Sequence, residues 1–482
     1  MRVRFAPSPT GALHLGSALV ALANAAFARS SDGVLILRID DTDRARSTEA
    51  HELDLIRLLR WLDIEWHEGP LRQSDRVELH AAALDQLVDQ GDAYPCFCSA
   101  ARLAELRERQ LRDGEPPRYD GRCRRLDARE VARSIAAGAP HVLRFAVPEG
   151  RDVVVDDLIR GRVVVPAGSF GDPVLRREDG SPGYLLSSVV DDGELQVTHI
   201  IRGEDHLANT ARQQLLFESL GVEQLPAFAH LPLLRDAAGR KLSKRDPLGT
   251  LDELVEDGFL PVTIRRYLAE LLGQGAVDLL HGEPVFDLAA IGTGAPKVDR
   301  VRLESIGRSD MATLPVDELL EGTGMAASAG REPVVRELAA TSATRVELRA
   351  ALRLLFDGPA VGDLSEVLEG VAPDASARTA FERALELATV GMRDVIDGAE
   401  AAEGAAWAAT FVAGYRSSGT ELGMRTRELL QPLRVALTGM RSGPGLDLVL
   451  AAIGPAEALR RLHLTRMVLE GMPDGGEAGD LG

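Results

Sequence analysis

The chain has 482 residues, 45% of them hydrophobic and 27% charged, with a formal net charge of −19. No apolar run approaches the ~20 residues of a membrane span, and no secretory leader pattern is visible, so we expect a cytoplasmic enzyme of several domains. The net acidity argues against indiscriminate nucleic-acid binding, although a local basic face remains compatible with it.

The chain opens with a predicted strand–helix–strand unit. VRFA (3–6) and VLILRIDD (34–41) have the composition of buried strands, and the Ala/Leu-rich segment 15–30 predicts a helix between them. Such a unit indicates a doubly wound α/β domain, in which ligands bind beyond the carboxyl ends of the strands. Residues 7–17 and 40–43 are therefore expected on one rim of the sheet.

The pattern changes between residues 96 and 190. The charged helix AARLAELRERQLR (100–112) and the β-type runs HVLRFAVP (141–148) and RGRVVVPAG (160–168) predict an inserted domain. Strand-like QVTHIIRG (196–203) then resumes the α/β pattern. Farther on, the sequence is rich in Ala, Leu, Arg and Glu with helical periodicity, which predicts helical bundles.

Two short segments carry residues suited to phosphate chemistry. PSPTGALHLGS (7–17) leads into a helix whose free N–H groups favour anions; His14 can hydrogen-bond a phosphate oxygen, and Gly16 lets a ligand approach the backbone. In KLSKR (241–245), Lys241 and Lys244 have flexible charges that suit terminal phosphates and leaving pyrophosphate. Each segment alone is more simply a structural or solvated turn, but together they predict a nucleotide site.

The three cysteines of the chain, Cys96, Cys98 and Cys123, are clustered. An odd, clustered set without export signals is typical of metal ligands rather than of disulfides. Three thiolates suit a structural zinc ion and leave one coordination position to fill. Three inert reduced thiols are the alternative.

A succession of motifs resembles bacterial glutamyl-tRNA synthetase, a class I aminoacyl-tRNA synthetase. These motifs are RFAPSPTGALHLGS, LRIDDTD, RQSDR, VVDD, THIIRGEDH and KLSKRD, and HLGS and KLSKR match the two class signatures. The resemblance spans residues 1 to about 270 and returns in LLQPLRVALTG (429–439) and PGLDLVLAAIG (444–454).

The resemblance implies ATP-dependent activation of L-glutamate to glutamyl-adenylate, with Mg²⁺, and transfer to the 3′-terminal adenosine of tRNA(Glu). Whether tRNA(Gln) is also charged is left open. The implied fold is an α/β Rossmann-type catalytic domain with an inserted α+β acceptor-binding and zinc domain, followed by an all-α C-terminal anticodon-binding region. We expect a monomer without a membrane partner.

These expectations divide the chain into six segments. They are the first half of the catalytic domain (1–95), the inserted domain (96–190), the second half of the catalytic domain with the KLSKR loop (191–310), a helical domain (311–375), a helical anticodon-binding domain (376–472) and a disordered tail (473–482).

The resemblance also assigns site residues. Arg4 and Arg202 are the candidate cations for the glutamate carboxylates and Asp40 is the candidate partner of its ammonium; an Arg4–Asp40 ion pair is the structural alternative. Ala6, Ser8, Tyr184 and Ser188 complete the glutamate set. His14, Lys241 and Lys244 are assigned to catalysis, and the ATP set comprises Pro9, Thr10, Gly11, His14, Gly16, Ser17, Asp205, His206, Leu233, Leu234, Lys241, Ser243 and Lys244.

The fourth zinc ligand is assigned by comparison within the family. Many relatives place a histidine two residues beyond the last cysteine, where this chain has Arg125. Glutamyl-queuosine tRNA(Asp) synthetases use a tyrosine four residues before that cysteine, which Tyr119 matches. We therefore expect Cys96, Cys98, Tyr119 and Cys123 around a structural Zn²⁺.

Other functions fit the sequence less well. A glutamyl-queuosine tRNA(Asp) synthetase-like enzyme would stop after the catalytic domain, and glutaminyl-tRNA synthetases read PEPNG or similar in place of PSPTG. A tRNA-binding paralogue without ligase activity is disfavoured by the presence of His14, Lys241 and Lys244. A small-molecule nucleotidyltransferase has no use for the C-terminal helices.

Overall fold

The computed structural model describes residues 1–44, 46–243, 246, 248–282, 286–325, 331–397 and 406–472. The described chain divides into two compact units, residues 1–255 with 261–300 and residues 256–260 with 301–482. Within these described ranges, no helix is long and apolar enough to cross a membrane.

The first unit contains all the strands of the described chain. They are β1 (Arg2–Phe5), β2 (Val34–Ile39), β3 (Glu68–Arg72), β4 (Ala93–Cys96), β5 (Val142–Phe145), β6 (Val153–Asp157), β7 (Gly161–Val165), β8 (Val174–Arg176), β9 (His199–Gly203) and β10 (Ala227–Leu231).

Parallel strands dominate the centre of this unit. β2 lies between β1 and β3, and β10 lies between β6 and β9, each pair parallel. A hydrogen bond from Thr198 N to the Arg2 carbonyl (2.9 Å) brings the start of β9 beside β1. The strands thus follow the order β3, β2, β1, β9, β10, β6, and their carboxyl ends meet at one rim, where such sheets bind ligands.

The predicted inserted segment contributes to two sheets. β5 pairs with β4 and β8 in an antiparallel sheet, whereas β6 joins the central sheet through β10 and carries β7 at its edge. The borders of the six segments proposed from the sequence stay predictions.

Helices α1 to α9 surround the sheets of the first unit. They are α1 (Leu15–Ser30), α2 (Glu49–Trp61), α3 (Val77–Asp89), α4 (Ala100–Arg112), α5 (Ala128–Ala136), α6 (Tyr184–Glu194), α7 (Leu207–Ser219), α8 (Leu251–Glu256) and α9 (Pro261–Leu271). The helices predicted over 15–30 and 100–112 are confirmed as α1 and α4.

The described part of the second unit is helical. Its elements are α10 (Arg300–Met311), α11 (Val316–Leu319), α12 (Glu332–Thr341), α13 (Arg345–Phe356), α14 (Val361–Val371), α15 (Ala375–Asp397), α16 (Ala406–Glu421), α17 (Thr426–Thr438), α18 (Leu446–Ile453) and α19 (Pro455–Glu470). The helical character predicted for this half is confirmed, while the predicted tail, 473–482, lies outside the described residues.

Candidate active site

A cavity of about 300 Å³ opens at the carboxyl ends of β1, β2, β9 and β10. It brings together the predicted residues Arg4, Ala6, Ser8, His14, Gly16, Ser17, Asp40, Tyr184, Arg202, Asp205, His206, Leu233, Leu234 and Lys241. It is also lined by residues that the sequence did not single out, namely Phe5, Pro7, Leu19, Val20, Arg38, Ile201, Gly203, Leu231, Pro232 and Leu242.

Some predicted residues do not line this cavity. Pro9, Thr10, Gly11, Ser188 and Ser243 lie away from its wall, and Lys244 lies outside the described residues. Ser188 is only 1% exposed, one turn beyond Tyr184 on α6, where it faces the interior of the unit. Its assignment to glutamate stays a prediction.

The start of α1 is organised by His14. The residue has extended backbone angles (φ −93°, ψ 161°), and its Nδ1 accepts a hydrogen bond from Ser17 N at 3.0 Å. A Cβ on Gly16 would lie 3.1 Å from that Nδ1 atom. Glycine at this position thus leaves space for the imidazole to lie over the first turn and cap the helix. The sequence alone did not indicate this role of Gly16.

The two signature segments come together, as the sequence predicts. The backbone of Leu251 donates to the Leu13 carbonyl at 3.0 Å, so the chain just after KLSKR runs beside the start of α1. Lys241 Nζ lies 3.0 Å from Asp205 Oδ2 at the cavity wall. A basic side chain and the amino end of a helix therefore face the same space, as anion binding requires.

Buried ion pairs form the floor of the cavity. Arg38 donates through Nε to Asp40 Oδ1 and through Nη1 to Asp192 Oδ1, both at 2.7 Å, and Arg4 Nε lies 3.2 Å from the same Asp192 oxygen. Asp40 thus forms an ion pair, but with Arg38, two residues before it, rather than with Arg4. Burial raises the pKa of Asp40, and the adjacent Arg38 guanidinium opposes that shift.

Arg202 differs from the other two buried arginines. Its Nη2 donates to Thr210 Oγ1 at 2.8 Å and to Gln213 Oε1 at 2.6 Å, and its Nη1 lies 3.5 Å from the Tyr184 hydroxyl. Within the part of the chain that the structure describes, no carboxylate pairs with it. Burial lowers the pKa of this guanidinium. Uncharged side chains therefore hold Arg202, whereas carboxylates contact Arg4 and Arg38.

Tyr184 and His206 form a pair at the cavity wall. The Tyr184 hydroxyl lies 3.0 Å from His206 Nδ1. Burial, together with the charge of Arg202, lowers the pKa of His206 to about 4. The imidazole is therefore neutral near physiological pH, and its Nδ1 can accept a hydrogen bond from the Tyr184 hydroxyl.

The predicted metal ligands also come together. The sulfur atoms of Cys96, Cys98 and Cys123 all lie within 4.8 Å of one another. The Tyr119 hydroxyl lies 3.4 Å from Cys96 Sγ and 3.6 Å from Cys98 Sγ, and it accepts from Cys123 N at 2.8 Å. Zn–S bonds of about 2.3 Å in a tetrahedral site need a cluster of about this size, so the donor set fits zinc.

Comparisons with known proteins agree with this geometry. The profile of the catalytic domain of tRNA synthetases class I (E and Q) matches residues 1–278, and that of an anticodon binding domain matches residues 376–466. Glutamate–tRNA ligase 1 of Gluconobacter oxydans is 36% identical over 475 residues, which cover 96% of this chain and 97% of the relative. Glutamate–tRNA ligase 2 of Rhizorhabdus wittichii is 38% identical over 473 residues, 95% of this chain and 96% of the relative.

Solved structures share the fold. The crystal structure of a glutamate tRNA ligase from Elizabethkingia meningosepticum, in complex with its amino acid, matches with a TM-score of 0.76 at 23% identity, covering 98% of this chain and 100% of that chain. The catalytic-domain profile covers more than half of the chain, and the relatives match nearly all of it. The chain therefore belongs to the class I tRNA synthetases of the E and Q type, with a catalytic domain and a helical C-terminal anticodon domain.

Proposed function

We propose that the chain is a glutamate–tRNA ligase, which activates L-glutamate with ATP and transfers it to tRNA(Glu). The observation that carries this proposal is the buried guanidinium of Arg202, which no described carboxylate contacts. The side-chain carboxylate of glutamate supplies a counter-charge that can contact Arg202 directly. Glutamine has no net charge and would leave a buried cation without a counter-charge.

The buried groups suggest a division of roles. Arg202 binds the side-chain carboxylate, because its Nη1 edge faces the cavity beside Tyr184. Arg4 binds the α-carboxylate and Asp40 accepts from the ammonium. Ala6 and Ser8 lie where β1 ends and bound the same space.

The chemical step needs no nucleophile from the protein. An α-carboxylate oxygen of glutamate attacks the α-phosphorus of ATP, whose Mg²⁺ enters with the nucleotide, and the bond to pyrophosphate breaks. His14 and the start of α1 hold the phosphate region, and Lys241 and Lys244 neutralise the leaving pyrophosphate. The 2′- or 3′-hydroxyl of the terminal adenosine of tRNA then attacks the glutamyl carbonyl, and AMP leaves.

A structural zinc ion accompanies this site. We assign Cys96, Cys98, Tyr119 and Cys123 as its ligands, on the basis of their convergence in the antiparallel sheet region. Bound zinc supplies no catalytic chemistry there; it ties the β4 segment to the chain around Cys123.

The helical second unit supports tRNA as the partner, because the anticodon-domain profile falls on α15 to α19. We propose a monomer with the domain order Rossmann-type catalytic halves, inserted acceptor-binding domain and anticodon-binding helices. Charging of tRNA(Gln) beside tRNA(Glu) decides whether the specificity is broader.

Glutamate-dependent ATP–pyrophosphate exchange, run with and without tRNA(Glu), tests the proposal. Arg202→Lys keeps a charge but loses the planar fork, so we expect the KM for glutamate to rise about a hundredfold while the KM for ATP stays close to that of the unmodified chain. Arg151→Lys, at an exposed pair with Glu218, is the matched control. No exchange under either condition would instead favour a tRNA-binding paralogue.

A further inference from the structure

A line of buried polar groups continues behind Arg202, away from the cavity. Arg202 on β9 and His230 on β10 are direct neighbours in the parallel pairing, and the His230 ring is fully buried. His230 Nδ1 lies 2.6 Å from an oxygen of Asp157, at the end of β6. Three adjacent strands therefore supply one connected set of side chains, of which only Arg202 reaches the cavity.

The contacts determine the protonation state of His230. An ionised carboxylate can only accept hydrogen bonds, so the Asp157 contact requires the proton on Nδ1. Nε2 then presents a lone pair, and it lies 3.3 Å from Arg202 Nε and 3.0 Å from Thr210 Oγ1. Burial lowers the pKa of His230, in keeping with a neutral ring.

This arrangement holds Arg202 through uncharged partners and keeps the carboxylate of Asp157 on the far side of the His230 ring. Nε faces the neutral His230 ring, and Nη2 donates to Thr210 and to Gln213, which are uncharged as well. Arg4 and Arg38, in contrast, are held by carboxylates. A carboxylate at the place of His230 would orient the guanidinium equally well, but it would compete directly with an anionic substrate for Arg202.

We propose that His230, held by Asp157 in its Nδ1–H form, is a positioning residue that sets the preference for an anionic amino-acid side chain by orienting Arg202 with a neutral acceptor. This inference rests on the proposed function, in which Arg202 binds the side-chain carboxylate. His230 itself does not line the cavity.

Two substitutions separate this role from a merely structural one. In His230→Asn the amide keeps a donor near the Nδ1 position for Asp157 but no longer reaches Arg202. In His230→Gln the longer side chain returns an acceptor near the Nε2 position. We measure KM and kcat for glutamate and for glutamine in ATP–pyrophosphate exchange with tRNA(Glu), together with the melting temperature of each full-length variant.

We expect His230→Asn to raise the KM for glutamate about tenfold, with kcat and the KM for ATP changed less than about twofold. The preference for glutamate over glutamine falls by a similar factor, and His230→Gln restores most of both. An unchanged glutamate KM in His230→Asn, or an equal loss in both variants that follows their melting temperatures, would overturn the positioning role.

Asp157→Asn provides the second route if His230→Asn does not fold. The amide of this variant can donate a hydrogen bond to His230 Nδ1, which places the ring proton on Nε2. The Nε2–H group and the Arg202 Nε–H group are then both donors and face each other. A raised glutamate KM supports the proposal and an unchanged one overturns it. If Arg202→Lys leaves the glutamate KM unchanged, the assignment of Arg202 itself is wrong; if only the His230 and Asp157 variants lack an effect, the positioning role alone fails.

Discussion

Three arginines are buried beside one cavity. Burial of a charge costs free energy unless the charge has a partner or strong hydrogen bonds. Arg4 and Arg38 share Asp192, and Arg38 also binds Asp40. Arg202 relies on neutral acceptors alone. The difference leaves Arg202 without a contacting carboxylate, so an anionic substrate can take that place.

His206 gives this site a dependence on pH. Burial lowers its pKa from 6.5 to about 4, so between these values the unfolded chain binds a proton that the folded chain does not. The stability that comes from the neutral ring is complete above pH 6.5 and is lost as the pH falls towards 4. His206→Gln should therefore flatten the plot of unfolding free energy against pH in this window, by up to about 1.4 kcal/mol per pH unit. Urea titrations at several pH values measure it, and an unchanged slope would contradict a neutral, buried ring.

Among single residues, those that follow strands are predictable from the sequence, whereas those whose roles depend on distant contacts are not. Arg4, Asp40 and Arg202 lie at or next to the carboxyl ends of parallel strands, where ligand contacts are expected. In the sequence, Arg38 is only a charged residue that interrupts the apolar run 34–39. Its partner Asp192 lies 154 positions away in the sequence, and no local pattern indicates such a pairing.

The elements themselves show the same division between local and distant causes. The bounds of α1 and α4 were predictable because side chains at their starts, His14 and Ser99, cap the first turn from within the segment. The position of β6 beside β10 was not predictable, because the pairing of strands in a sheet depends on residues far along the chain. Consequently the sequence predicted an inserted domain but not its share in the central sheet.

The packing of α13, α17 and α19 depends on one buried cation. Arg461 on α19 is fully buried and donates through Nη1 to the carbonyls of Leu355 (2.7 Å) and Leu437 (2.6 Å), at the carboxyl ends of α13 and α17. It also binds Glu457 at 2.7 Å. Helix ends leave such carbonyls without partners, so this contact satisfies groups that would otherwise be buried and unpaired.

Replacing Arg461 should therefore destabilise the second unit. Arg461→Met leaves these carbonyls unpaired, and we expect the free energy of unfolding to fall by about 3 kcal/mol. Arg460→Met is the matched control, because Arg460 binds the same Glu457 from an exposed position and should change stability by less than about 1 kcal/mol. Denaturation followed by circular dichroism compares them, and equal effects would contradict the capping role.

The cysteine cluster yields a prediction about metal content. Elemental analysis of the purified chain should find one zinc per molecule, and Cys98→Ser should lose it. Tyr119→Phe removes the phenolic oxygen but keeps the ring under Arg144, whose guanidinium carbon lies 4.1 Å from the ring centroid. We expect this variant to bind zinc about tenfold or more weakly than the unmodified chain in a chelator competition. A folded chain without metal would contradict the site.

At the scale of the whole molecule, the order of the motifs was sufficient to identify the family. The catalytic profile covers residues 1–278, which belong to the first unit except for 256–260, and the anticodon profile lies within the second. Helical periodicity predicted the second unit because buried leucines repeat regularly, but the residues that read an anticodon are exposed side chains on which a helical core places no constraint. The tRNA specificity therefore could not be predicted.

The most direct test of the account is the charging of purified tRNA(Glu) with labelled glutamate and, in parallel, with labelled glutamine. If the buried Arg202 guanidinium selects the substrate, glutamyl-tRNA forms in the presence of ATP, and glutamine is used at least about a thousandfold less efficiently. Equal use of the two amino acids, or no glutamyl-tRNA at all, would contradict the central claim.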